Sequence, residues 1–120
     1  MQNQHFISWT ETFTQNIMLS TFRTDGNHVE RFIHDKLNDS VIYLNKICKK
    51  MHESETISGF YNLLCVYVQE TKNCLYWYER SLDYELADLN NSRILLNQGK
   101  SMLSVLEATL KVINLQEKIN

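Results

Sequence analysis

The segment ISGFYNLLCVYVQETKNCLYWYERSL, residues 57–82, decides the fold. Ile57, Phe60, Leu64, Tyr67, Thr71, Leu75 and Tyr78 recur along it at steps of three and four, the period of a helix and not of a strand. No proline interrupts it, and the whole chain contains none. Beside this stripe lies a second set, Leu63, Val66, Cys74 and Trp77. At about 100° per residue the two sets sweep roughly 200° of helix, against a little over ~100° for a helix buried on one side. The segment is therefore a helix with more apolar surface than one core face requires, which a thick core, scattered exposure or a self-association surface would account for.

The same period organises the chain on either side. Residues 6–22 carry Phe6, Trp9, Phe13, Ile17 and Met18 at helical spacing. Thr24-Asp25-Gly26-Asn27 breaks the pattern with turn residues, and Asn27 with Glu30 has capping-box spacing. Val29, Phe32, Ile33, Leu37, Val41, Leu44, Cys48 and Met51 then share one face. His52 to Thr56 is a polar break with Ser54 or Thr56 as the helix cap. After an acidic link at residues 83–88, a fourth segment over residues 89–119 aligns Leu95, Leu96, Met102, Leu103, Leu106, Leu110 and Ile113. It too has a second seam, Ile94, Val105, Ala108 and Val112. Four amphipathic helices with short links predict an all-α, antiparallel up-down-up-down four-helix bundle.

At 120 residues the chain is one domain, spanning 1–120. A core burying roughly 65% of the unfolded surface holds at this length without staples. Hydrophobic residues make up 43% and charged residues 22%, ordinary globular usage. With only three glycines and no proline, an all-β fold lacks its turn residues. The longest apolar run, residues 63–68, is far short of a membrane span, and the opening Met-Gln-Asn-Gln-His lacks signal-peptide character. Three cysteines fit a reducing compartment; Cys65 and Cys74 lie about 13.5 Å apart along one helix, too far to bridge. The expectation is a cytoplasmic protein that does not enter membranes.

Little in the sequence supports catalysis or cofactors. A di-metal site in a bundle needs Glu-x-x-His pairs, and none of His5, His28, His34 or His52 follows a glutamate at that distance. Cys48 and His52 are one turn apart, but two ligands without a second pair do not make a site. Cys65 and Cys74 sit among apolar residues and read as packing. Gly-rich phosphate loops and Gly-x-Ser-x-Gly elbows are absent. Asp83, Glu85 and Asp88 read as a solvated acidic link. No catalytic, cofactor or metal residues are expected.

Lys46, Lys49 and Lys50 cluster near the end of the second helix, where lysines also complement the helix dipole. With a formal net charge of −2 the chain has no global pull toward nucleic acid. Repetition of the cluster in an assembly would widen it into a phosphate-binding surface. Tyr76-Trp77-Tyr78 offers base-stacking rings in principle, but helical position assigns Tyr78 to the core and Trp77 to an interface.

Phe60, Leu64, Glu70 and the pair Tyr76-Trp77, at those spacings, resemble the third-helix pattern of the 23S rRNA intervening-sequence protein family of small bacterial four-helix bundles. The resemblance runs without a gap back to Ser40, onward through Tyr84 and Leu86, and covers about residues 36–119. The family's second helix usually reads Ser-Ile-x-Ala-Asn-Ile-x-Glu-Ala. Over Tyr43-Leu44-Asn45-Lys46-Ile47-Cys48-Lys49-Lys50-Met51 the asparagine falls on Ile47, the glutamate on Lys50, and the alanines on Lys46 and Met51. The chain is thus similar to a diverged member. The resemblance implies a homopentameric barrel, as in the similar accessory proteins of diversity-generating retroelements, with nucleic-acid binding reported or proposed for such proteins.

The resulting expectation is a non-enzymatic bundle that self-associates, with Leu63, Val66, Trp77, Ile94, Val105 and Val112 at subunit contacts. Lys46, Lys49 and Lys50 would hold structured RNA or a ribonucleoprotein. The alternative is a protein-interaction scaffold with no nucleic-acid role.

Overall fold

A computed structural model describes the backbone of residues 4–20, 28–83 and 89–119, and side-chain surroundings over 8–18, 28–83 and 92–114. The described residues form four helices, α1 (Gln4–Ser20), α2 (His28–Glu53), α3 (Ile57–Asp83) and α4 (Leu89–Ile119), and no strand. Each helix packs on its neighbours around a ring, α1 on α2, α2 on α3, α3 on α4, and α4 back on α1. The result is an elongated four-helix bundle of 53 × 22 × 22 Å.

The α2–α3 link spans three residues, 54–56. The Ser54 amide donates to the Met51 carbonyl at 3.2 Å, closing α2. The Thr56 hydroxyl accepts the Gly59 amide at 3.0 Å, so of the two residues expected to cap α3 it is Thr56 that does so. The Ser54 hydroxyl instead donates to the Thr56 carbonyl at 3.2 Å. Gly59 permits this closeness: a Cβ there would lie 2.8 Å from Thr56 Oγ1 and 3.0 Å from Ser54 Oγ.

Side-chain pairs fix the sense of three neighbouring pairs. Thr10 meets Cys48 and Thr14 meets Asn45 across α1 and α2. Phe32 meets Trp77 and Ser40 meets the Glu70 carbonyl across α2 and α3. Across α3 and α4, Tyr78 bonds Ser92, and Leu75 lies against Gly99. In each case the residue number rises on one helix as it falls on the other.

The core follows the helical stripes closely. Ile17, Leu37, Leu44, Leu64, Tyr67, Tyr78, Met102 and Leu106 are nearly or wholly sealed from solvent. Ile47, Val68 and Cys74, which lie off the single stripes, are buried as well. Two neighbours flank every helix, so the buried arc is wider than one row. Conversely, Trp9, Val29, Phe32 and Ile57 belong to the expected stripes yet stand exposed. Phe32 lies about 100° around α2 from buried Ile33 at ~100° per residue, and Ile57 opens α3 at the end of the bundle. The expected Asn27 cap, the link residues Tyr84, Glu85, Leu86 and Asp88, Phe22, and the surroundings of Phe6 lie outside the described residues.

α1 is held partly by polar contacts. Among its described side chains Thr10, Phe13, Thr14 and Ile17 are buried. The Thr10 hydroxyl lies 3.2 Å from the Cys48 sulfur, and the Thr14 hydroxyl lies 2.9 Å from both the Glu11 carbonyl and Asn45 Oδ1.

Gly99 of α4 sits where side chains of α3 and α1 both come close. A Cβ on it would sit 2.6 Å from Leu75 Cδ2 and 2.8 Å from Phe13 Cε1. Gly99→Ala should therefore lower stability by about 1–3 kcal/mol through overpacking, against a helix-propensity gain of up to ~1 kcal/mol. Urea unfolding checks this, with a lower midpoint expected.

Candidate functional site

α4 carries the clearest unpartnered surface. Ile94, Val105 and Val112 are 58%, 50% and 54% exposed. With Gln98, Ser101 and Ala108 they form a row at steps of four, three, four, three and four. At about 100° per residue the charged residues Arg93, Lys100, Glu107 and Lys111 all fall on another flank. The row is free of charge over 19 positions. Beside its upper part, Trp9 of α1 joins Ile94, Asn97, Gln98 and Ser101 in lining a shallow groove of about 340 Å³. Side-chain rows at this spacing are what helices present to other helices.

The three contact residues expected on α3 stand differently. Val66 is 40% exposed, but Leu63 and Trp77 are half-buried and pack against the bundle's own core. The six expected contact residues therefore do not form one patch. Ile94 borders Trp9 of α1, with Val105 and Val112 further along the same flank of α4, whereas Trp77 borders Phe32 of α2, on the opposite edge of the bundle.

Lys46, Lys49 and Lys50 are all exposed, and among the described residues none makes an ion pair within 4 Å. The helix divides them. Lys49 lines a groove of about 450 Å³ between α1 and α2 with Glu11, Gln15, Asn45, Cys48 and His52. Lys46 and Lys50 lie within about 40° of each other, and Lys49 is set about 100° from Lys50, at ~100° per residue.

Aromatic side chains gather at the α2/α3 edge. Phe32, 53% exposed, meets Trp77 edge-on at 5.7 Å between ring centroids, and Trp77 meets exposed Tyr76 at 5.0 Å. Lys36 Nζ sits 5.4 Å from the Phe32 centroid, and the Arg80 guanidinium 5.1 Å from that of Tyr76. Arg80 is further tethered to Asp83 at 3.1 Å. Helical position places Tyr78 inside, as expected, and it is fully buried with its hydroxyl donating to Ser92 at 3.0 Å. The exposure of Phe32 was the signal missing from the stripe, because period alone does not say which flank a neighbour covers.

Among the described residues no group of three or more His, Cys, Asp or Glu is placed to hold a metal ion, and no helix is long and apolar enough to cross a membrane. Cys48, on the floor of the α1/α2 groove, is buried, and burial pushes its thiol up. Burial pushes the Cys74 thiol from 9.0 up to about 12, against the smaller opposing effect of a Ser40 hydrogen bond. Burial likewise pushes the Tyr67 phenol well up. These groups are held neutral by the core.

No family model, no curated protein and no solved structure matches the chain.

The thiols give a direct check on this burial. Half-exposed Cys65 should react first with a thiol reagent in the native protein, and Cys48 and Cys74 only at the rate of opening. Above pH 9.0 the unfolded chain releases the Cys74 proton that the folded chain retains. Stability should therefore fall as pH rises from 9.0 toward about 12, read as a declining urea midpoint.

Proposed function

We propose that this chain is a non-enzymatic bundle that associates with copies of itself and holds structured RNA on the outward face of α2. The observation that carries the reading is the uncharged row Ile94, Gln98, Ser101, Val105, Ala108 and Val112. Three of its members are half-exposed or more. Exposed apolar surface in a continuous row marks a contact site more often than scattered single residues do. A row of about 27 Å, at ~1.5 Å rise per residue, matches the contact length of a second helix. Val66 adds exposed surface on α3, and Leu63 and Trp77 add only their rims. The resemblance carried by Tyr76-Trp77 makes a closed ring of five the expected form.

RNA binding rests on Lys46, Lys49 and Lys50 being exposed and making no ion pair among the described residues. One copy supplies too few phosphate contacts for useful affinity, and repetition multiplies them. A reducing compartment suits the free thiols.

Val105→Glu combined with Val112→Glu should shift the assembly toward a single chain on size exclusion. Because both sites are exposed on the single chain, the variant should keep the helical circular dichroism of the wild type, with its thermal midpoint lowered only by the loss of association. Lys46, Lys49 and Lys50 changed together to alanine should abolish retention on immobilised structured RNA at low salt. Identical behaviour of wild-type and triple-alanine proteins would overturn the RNA reading and favour a protein-interaction scaffold.

A further inference from the structure

The outer face of α2 carries more than lysines. Phe32, Lys36, Asp39, Tyr43, Lys46 and Lys50 follow one another at steps of four, three, four, three and four. All six are exposed, so they form one row along the helix on the side toward α3. The row places an aromatic ring beside a lysine at each end of its length. Phe32 is followed one turn later by Lys36, whose ammonium lies 5.4 Å from the ring centroid. Tyr43, 47% exposed, is followed by Lys46 and then Lys50. Asp39 is the single acid on the row.

Phe32 is not a loose side chain. The Trp77 ring stands against it at 79° and 5.7 Å, and Tyr76 extends the aromatic surface onto α3 with Arg80 over its face. The buttress fixes the ring while leaving it more than half exposed.

From this arrangement we infer that the row from Phe32 to Lys50 is a docking track for single-stranded nucleic acid, in which bases stack on Phe32 and Tyr43 and phosphates meet Lys36, Lys46 and Lys50. The inference rests on the RNA reading above and narrows its ligand. Three lysines against one aspartate suit a polyanion, and exposed rings suit planar bases with free faces. A duplex offers no such faces, because its bases are stacked within the helix. Phe32 and Tyr43 are about 16 Å apart at ~1.5 Å per residue, so the bases they take are separated by intervening nucleotides. Lys49 takes no part, since it lines the groove toward α1.

Fluorescence anisotropy with a labelled 12-mer of oligouridylate, set against a labelled RNA hairpin, tests the track at fixed protein concentration. The single strand should bind more tightly than the hairpin, with a log–log salt slope near −2 for three phosphate contacts at ~0.7 each. Phe32→Ala with Tyr43→Ala should weaken the single strand by about tenfold or more and leave the helical circular dichroism spectrum unchanged, with melting lowered only by the lost Phe32–Trp77 contact. Lys46→Ala with Lys50→Ala should weaken it and flatten the salt slope, whereas Lys49→Ala should alter neither. Preference for the hairpin, or binding that needs the lysines but not the rings, would overturn the track and leave the structured-RNA reading standing. Failure of the wild-type protein to bind either RNA at low salt would overturn both.

Discussion

The close packing of α2 against α3 is the constraint on which the molecule depends. The link between them is only three residues, Ser54 to Thr56, so the helices must turn back on each other, and the Thr56 cap fixes where α3 starts. That start sets the register in which Ser40 reaches the Glu70 carbonyl and Phe32 meets Trp77. With the register set, Leu37, Leu44, Ile47 and Met51 face Phe60, Leu64, Tyr67 and Cys74 in one buried cluster. Each large apolar side chain so buried contributes about 1.5–3 kcal/mol. α1 and α4 then complete the cluster from the other two sides. α4 brings Met102 and Leu106, while α1 buries Thr10 and Thr14 beside Phe13 and Ile17 among its described side chains.

Because the core is filled from within, the apolar residues left outside it call for a separate explanation. Several of them gather on two opposite edges. One edge, α1 with α4, is uncharged and aliphatic, with Trp9 and Ile94 around a shallow groove and Val105 and Val112 beyond it. The other, α2 with α3, mixes exposed rings with cations, Phe32 with Lys36 and Tyr76 with Arg80. An uncharged row is suited to another helix, where close packing supplies the energy and charge would have to be desolvated. A surface of rings and cations is suited to ligands with planar faces and negative charge. The reading proposed above assigns the first edge to copies of the chain and the second to a ligand.

Much of this was legible in the residue spacing. Four helices followed from steps of three and four in the apolar residues and the near absence of helix breakers. α2, α3 and α4 lie close to their expected bounds. The uncharged row on α4 was visible as a second seam, because period and charge together separate two flanks of one helix. Other features needed coordinates. Val29, Phe32 and Ile57 share the period of the core but not its burial, since spacing gives an angle and not the position of a neighbouring helix. Cys74 read as a packing residue and is sealed, but that Ser40 of α2 is what lies against it needed coordinates. The three lysines read as one cluster, and the helix turns Lys49 into a different groove. Buried threonines and serines carry no periodic signal, so the contacts of Thr10 with Cys48 and of Tyr78 with Ser92 emerge only from packing.

The central claim is that the exposed aliphatic row of α4 is covered in solution by another copy of this chain. Multi-angle light scattering of the wild-type protein, taken through serial dilution, addresses it most directly. A mass that is a whole multiple of 14.2 kDa and declines only on dilution is the predicted result. A mass of 14.2 kDa at every concentration, including the highest attainable, would contradict the claim.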